Sequence, residues 1–311
     1  MRVLSVGEIL WDLFPTGELL GGAPLNVCVH LQRMGNFALL LTAVGNDERG
    51  DRARQEMMRL GLSTELAQVT DERPTGVAEV SFDERGEPRF AIPRPAAFDY
   101  VRLPAGQLDQ LRRTNFEWLY FGTLLQREPK VEWLIRELID ALPGIRCFYD
   151  MNLRTGHWNL PLVERLSRRT NVLKLNENEA RTLHVATGGA GGSFRLEDFC
   201  SWWASNYGVE IICVTRGADG CFLHTKDGTH YSKGFNVTVQ DTVGAGDGFA
   251  AAFLHGLHHS WPVQKTLAFA NALGALITSR AGATPEWTMS ECIALASSDE
   301  VGKRFSSDSS R

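Results

Sequence analysis

The sequence has no uninterrupted apolar run of the roughly 18 residues a membrane-crossing helix needs. Its first residues, MRVLSVGEILWDLF, carry Glu8 and Asp12 inside the apolar stretch and offer no small-residue cleavage site, so neither insertion nor secretion is predicted and a cytoplasmic location is expected. A basic surplus is also missing. Thirty-two Lys and Arg stand against 37 Asp and Glu, scattered along the chain for a net charge of -5, which argues against a nucleic-acid partner. The six cysteines (Cys28, Cys147, Cys200, Cys213, Cys221, Cys292) include no C-x-x-C pair and sit mostly in apolar contexts; reduced, buried thiols are expected, and zinc is not. Nor is the composition that of a disordered chain. With 43% hydrophobic residues, 16 Phe and 8 Trp over 311 residues, the sequence can bury the core of one large α/β domain or of a core with a small appendage.

The periodicities present divide the chain. Met1 to Phe14 reads as a strand, Gly21-Gly22-Ala23-Pro24 as a turn into a helix stopping at Gly35, Phe37 to Val44 as a strand, and Asp47 to Leu60 as a helix ended by Gly61. From about Thr64 to Ile92 short alternating runs (ELAQV, GVAEVSF, PRFAI) are separated by turns such as Asp83-Glu84-Arg85-Gly86, predicting a small antiparallel sheet. Strand and helix alternate again from Trp118: WLYFG, a helix from about Pro129 to Leu142, IRCFYD, a helix near Leu162, NVLKL, and a helix from Glu177. After a glycine-rich insert, Gly188 to Gly192, follow IICVTRG, a hairpin of CFLHT and THYSKG, and two long helices after Asp247 and Val263. Repeated βα units predict a mainly parallel sheet between helix layers, with ligands at the carboxyl ends of its strands and the interrupting strands as a lid. The expected organisation is one α/β/α domain, 1–311, with a lid from about 13–21 and 63–98 and a polar, frayed tail from 293 to 311.

The richest segment is Asp241-Thr242-Val243-Gly244-Ala245-Gly246-Asp247-Gly248, between the strand-like FNVTVQ and an apolar helix. Small residues entering a helix expose backbone N–H groups at the positive end of its dipole, which makes an anion hole. Asp247 in that first turn is either a favourable dipole partner or a base beside a phosphoryl group. No G-x-x-x-x-G-K-[ST] occurs, and Gly244 to Phe249 fails G-x-G-x-x-G at its last position, so neither an ordinary P-loop nor a dinucleotide fingerprint is present.

That segment resembles the carboxyl-terminal signature D-T-x-G-A-G-D of ribokinase-like carbohydrate kinases. Gly21-Gly22-Ala23-Pro24-Leu25-Asn26, about 220 residues earlier, is similar to the same family's amino-terminal signature. The resemblance covers essentially the whole chain. It implies the ribokinase-like three-layer fold and a kinase using ATP and Mg²⁺, with Asp247 as base for a sugar hydroxyl and Gly244, Ala245 and Gly246 cradling the transferred group. Asn176 and Glu179 match N-x-x-E, which alone reads as a capping box and in the family organises Mg²⁺ through water. Thr215, Gly217 and Gly220 look like its nucleotide loop, otherwise a plain turn, and Asn271 aligns with a position near adenine, otherwise a solvated helix residue. Asp12, Gly22 and Asn26 fall on sugar positions, with a turn-capping aspartate as the plain alternative for Asp12. Asp150-Met151-Asn152-Leu153-Arg154 resembles D-x-N-x-R, placing Arg154 at substrate or phosphate unless it forms a surface ion pair.

Gly7 to Asp12, Gly21 to Asn26 and Arg94 to Tyr100, with Arg94 and Phe98 expected at the pocket, look most like the bacterial fructokinase branch. Ala23 stands where ribokinases carry lysine, which speaks against ribose. D-fructose is the implied acceptor. A 2-keto-3-deoxygluconate kinase, which could use an arginine here, and a catalytically silent sugar or nucleotide sensor are the alternatives. Asp241, the Val243 carbonyl and the loop around Gly282 match the family's monovalent-cation region, implying K⁺. A homodimer through the lid is expected, because exposed lid strands need covering.

Overall fold

The computed structural model describes residues 1–15, 17–82, 88–103, 106–189 and 192–307, with backbone alone at 80–82, 88–90, 129–132 and 299–307. Thr16, the Asp83-Glu84-Arg85-Gly86 turn, part of the Gly188 to Gly192 insert and the last four residues of the expected tail lie outside the described residues.

The expected first strand is two strands in two sheets. β1 (Arg2–Val6) ends at Gly7, where a Cβ would stand 2.1 Å from Pro24 Cγ; glycine lets the next helix dock there. The chain then leaves the main sheet as β2 (Leu10–Phe14) and returns antiparallel as β3 (Gly17–Gly21) before α1 (Ala23–Arg33). β4 (Phe37–Gly45) and α2 (Glu48–Arg59) follow, α2 capped by Asp47, whose carboxylate accepts from the Gly50 N–H at 2.8 Å and the Thr75 N–H at 2.7 Å. β5 (Ala67–Thr70) pairs parallel with β4, so ELAQV belongs to the main sheet and not to the appendage. β6 (Gly76–Phe82) and β7 (Pro88–Ala91) complete a small sheet of order β3-β2-β6-β7; because β2 and β6 run parallel, it is mixed where an antiparallel one was expected.

α3 (Gln107–Thr114), which the patterns did not show, precedes β8 (Trp118–Gly122), α4 (Pro129–Ala141), β9 (Arg146–Asp150), α5 (Leu160–Ser167), β10 (Val172–Asn176) and α6 (Glu177–Ala186). A second unpredicted helix, α7 (Leu196–Tyr207), leads into β11 (Ile211–Thr215) and the antiparallel hairpin β12 (Cys221–Thr225) and β13 (Gly228–Ser232). FNVTVQ forms no strand. Instead the N–H groups of Gln240 and Asp241 donate to the Thr278 carbonyl at 2.9 and 3.2 Å, pinning the approach to α8 (Ala245–His258) onto the end of α9 (Val263–Thr278). The expected tail is helical as far as it is described, within α10 (Met289–Ser307).

Among the described residues the main sheet has nine strands in the order β13-β12-β11-β10-β9-β8-β1-β4-β5, parallel except for the β12–β13 hairpin. Alternation along β1 sends Leu4 and Val6 to one apolar layer, with Phe121 and Tyr149 stacked at 5.2 Å, and Val3 to the other, beneath α1, α8 and α9. This is the three-layer ribokinase-like architecture. Sequence order reverses at β1, between β4 and β8, which opens a crevice at the carboxyl ends of these strands. All six cysteines are free and buried. No helix among the described residues is long and apolar enough to cross a membrane.

Candidate active site

A cleft of about 250 Å³ occupies that crevice. Its floor comes from the loop after β1 and the ends of β9, β10 and β11; one wall is the small sheet and another the start of α8. Asp12, Gly22, Asn26, Arg154, Asn176, Thr215, Val243, Gly244, Gly246 and Asp247 all line it, so both signatures meet there.

Two glycines make the amino-terminal part possible. A Cβ on Gly21 would stand 2.4 Å from Asp12 Oδ2, and one on Gly22, at φ +120°, 2.4 Å from the Glu8 carbonyl oxygen. The close approach delivers Asn26, in the first turns of α1, to the start of α8, where its Nδ2 donates to Asp247 Oδ2 at 2.8 Å. Asn26 Oδ1 is buried without a hydrogen-bond partner. Asp12 sits on β2 in the small sheet, not at the end of the first main-sheet strand, and reaches the cleft from the side.

Gly244 caps the start of α8, left-handed at φ +78° and pressed against Ala283, where a Cβ would stand 2.5 Å from the Ala283 Cα. Burial pushes the Asp247 carboxyl up to about 6, and Asp150 pushes the same way, while the Asn26 hydrogen bond, Lys174 and Arg154 pull it down. Such a carboxylate is still mostly ionised at neutral pH and is a stronger base than an ordinary aspartate. Burial raises Asp12 to about 6 as well, against the pull of Arg154.

The sequence reading missed Lys174. Its ammonium is buried within 3.0 and 3.1 Å of the two Asp150 oxygens, and Tyr120 donates to Asp150 Oδ2 at 3.0 Å. Desolvation opposes its charge, but Asp150, Asp247 and Glu179 outweigh it and raise its pKa. A Cβ on Gly246 would lie 3.2 Å from Lys174 Nζ, which places a fixed positive charge beside the helix start. The available signal was one lysine inside the apolar run Val172-Leu173-Lys174-Leu175. Glu8, also missed as a site residue, lines the cleft.

Several expected contacts lie elsewhere. Arg94 and Phe98 are not on the cleft wall: the Arg94 guanidinium is paired with Asp99 and donates to the Leu124 carbonyl at 2.6 Å, and Phe98 is fully buried. Ile92 and Leu124 take their place. Gly217, Gly220 and Asn271 also lie off the cleft. Gly220, at φ +88°, is packed so that a Cβ would meet the Ser232 carbonyl at 2.1 Å, and Asn271 Nδ2 donates to the Lys233 carbonyl at 3.0 Å, clasping α9 to the segment after β13. Asn176 and Glu179 form the capping box of α6, and Glu179 Oε1 accepts from the Leu153 N–H at 2.7 Å. Asp241 gathers the proposed cation loop: Oδ1 accepts from the Val243 N–H and Oδ2 from the Gly282 N–H, both at 3.0 Å.

A carboxylate held at a helix start, a buried cation beside it and a second carboxyl on the facing sheet suit transfer of an anionic group to a hydroxyl. The comparisons with known proteins agree in kind. The chain is 29% identical to an ATP-dependent ribose-1-phosphate kinase of Halopiger xanaduensis (91% of this chain, 94% of that protein) and 28% identical to fructokinase-2 of Oryza sativa subsp. japonica (91% and 90%). Its fold matches a Xylella fastidiosa fructokinase solved with bound ATP at a TM-score of 0.81, with 23% identity over 96% of this chain and 99% of that one. The family model described as pfkB family carbohydrate kinase matches residues 16–289, from β3 through α8 and α9 to the start of α10, and the chain belongs to that family.

Proposed function

We propose that this kinase transfers the γ-phosphoryl group of ATP to a hydroxyl of a small sugar, D-fructose, with Asp247 as general base. The observation that carries this reading is Asp247 itself: a carboxylate raised to about 6, oriented by Asn26 and set at the helix start beside Lys174. The sugar would lie between Asp12, Asn26 and Arg154. Asp247 takes the proton from the attacking hydroxyl, the new O–P bond forms, and the bond to the bridging oxygen breaks to release ADP. The start of α8, with Gly244, Ala245 and Gly246, and the Lys174 ammonium stabilise the charge on the transferred group.

The donor set fits the nucleotide's Mg²⁺ through water. Both Glu179 oxygens already accept backbone N–H groups, from Leu153 and Asn176, so only their remaining lone pairs can face a hydrated ion, as Mg²⁺ prefers. When bound it would neutralise phosphate charge. The Asp241 loop, with the Val243 carbonyl and the turn at Gly282, is the place we propose for K⁺. The small sheet would act as a lid that keeps water from the transferring group. We also place the protein in the cytoplasm, which its free buried thiols support, and as a homodimer through that sheet, where Leu19 on edge strand β3 is 51% exposed.

The test is ADP release with ATP and Mg²⁺ against fructose, ribose, tagatose, 2-keto-3-deoxygluconate and nucleosides, in K⁺ and in a bulky organic cation. Fructose should dominate. Turnover of another acceptor without fructose would overturn the fructokinase assignment and leave the family membership intact.

A further inference from the structure

Glu8 stands in the loop between β1 and β2 and is 6% exposed, yet it lines the cleft and its Oε2 has no hydrogen-bond partner in the protein. Apolar side chains surround it in sequence: Val6 and Ile9 are both fully buried. A buried carboxyl with an empty oxygen is costly, and a fold that wanted only packing would place leucine or methionine here. The loop is also held in register by Gly22, whose missing side chain admits the Glu8 carbonyl.

We propose, resting on the sugar-kinase reading, that Glu8 is a sugar-binding residue: its carboxyl receives an acceptor hydroxyl and sets the enzyme's preference for neutral polyhydroxylated acceptors over carboxylated or phosphorylated ones. Two observations beyond its burial support this. Asn26 Oδ1 is a second buried acceptor without a donor in the same cleft, so the complementary ligand is rich in O–H donors. The charges also balance against an anion on this side: Glu8, Asp12 and Asp247 face Arg154, while Lys174 is engaged by Asp150 and Arg94 by Asp99. Burial pushes Glu8 up to about 7, with Asp247 pushing the same way and the residue's own backbone N–H, Arg154 and Arg94 opposing, so the carboxyl can either accept from a hydroxyl or, when protonated, donate to one.

The experiment compares wild type, Glu8→Gln and Glu8→Ala for KM and kcat with fructose, 2-keto-3-deoxygluconate and ribose 1-phosphate, for KM with ATP, and for thermal stability. In Glu8→Ala the fructose KM should rise about tenfold or more with the ATP KM unchanged. In Glu8→Gln the ratio of kcat/KM for 2-keto-3-deoxygluconate to that for fructose should rise about tenfold, as a like-charge obstacle is removed. Both variants should melt no lower than wild type. A structural glutamate would instead lower the melting temperature and depress turnover with every acceptor alike. The proposal is overturned if fructose KM stays within twofold in both variants, or if wild type prefers an anionic acceptor. No turnover of any sugar by wild type would remove the kinase reading itself; normal wild-type turnover with unchanged Glu8 variants removes only the role of Glu8.

Discussion

Asn26 and Asp247, 221 residues apart in sequence, are joined by a 2.8 Å hydrogen bond from Nδ2 to Oδ2 that ties α1 to α8 across the cleft. The bond holds the carboxylate in one orientation and stabilises its charged form, so Asn26 both aims the carboxylate and tunes it.

Asp247→Asn should keep the fold and bind sugar and ATP normally, while kcat falls about 10²–10⁴-fold, or roughly 3–5 kcal/mol of barrier. Stopped-turnover assays paired with calorimetric binding check this. Near-normal kcat would remove Asp247 as the base.

Asn26→Ala removes the hydrogen bond that lowers the Asp247 pKa, so that pKa should rise above about 6. Since the ionised form is the proposed base, the acidic limb of the kcat profile should move to higher pH. A limb that stays in place would show that Asn26 does not tune the carboxylate.

The same carboxyl predicts a stability effect. Asp247 has an ordinary value of 3.8 and a folded value of about 6, so the native state holds its proton more tightly than the unfolded chain. Its contribution favours folding below about pH 4 and is lost as pH rises through 6. Asp247→Asn escapes that loss. The melting temperature of the variant relative to wild type should therefore increase between pH 5 and pH 8, measured by calorimetry across that range.

How far the sequence foretold this site depends on whether the signal was local. The signatures around Gly22 and Asp247 were legible because tight glycine geometry and a helix start are encoded over a few residues, and the βα alternation placed the crevice. Asp12 was assigned to the wrong sheet because Met1 to Phe14 keeps its apolar pattern across the break at Gly7, which only the docking of Pro24 explains. ELAQV has the same alternation in either sheet, and its pairing with β4 is a long-range fact. Arg94 looked like a pocket residue, but its nearest carboxylate, Asp99, claims it. Lys174 and Asp150 acquire meaning only when β9 and β10 lie side by side, with Lys174 opposite Asp150 in the register.

Lys174→Met would leave the buried Asp150 carboxylate without its cation and should cost about 3–5 kcal/mol of stability. Adding Asp150→Asn removes the stranded charge and should recover much of that loss. Turnover should stay low in the double variant, since the Lys174 charge beside Gly246 is then gone. Denaturant melts separate the two effects; a double variant with wild-type kcat would show that the pair serves the fold alone.

Gly244 and Gly217 both have positive φ, +78° and +57°, but their surroundings differ. At Gly217 a Cβ meets nothing within 4 Å, so Gly217→Ala carries only the left-handed backbone penalty, roughly 1–2 kcal/mol, and should leave kcat nearly unchanged. At Gly244 the Cβ would also stand 2.5 Å from both the Cα and the carbonyl oxygen of Ala283, which are backbone and cannot swing aside. Relief requires the start of α8 to move away from the loop carrying Gly282, and Asp247 and Gly246 move with it. Gly244→Ala should therefore lose more stability than Gly217→Ala and should reduce kcat by at least a hundredfold, because a displacement of about 1 Å in a reacting geometry costs that much. Urea melts and initial rates on the two variants provide the comparison. Equal kcat in both would mean that the proposed anion hole does not depend on the position of the helix start.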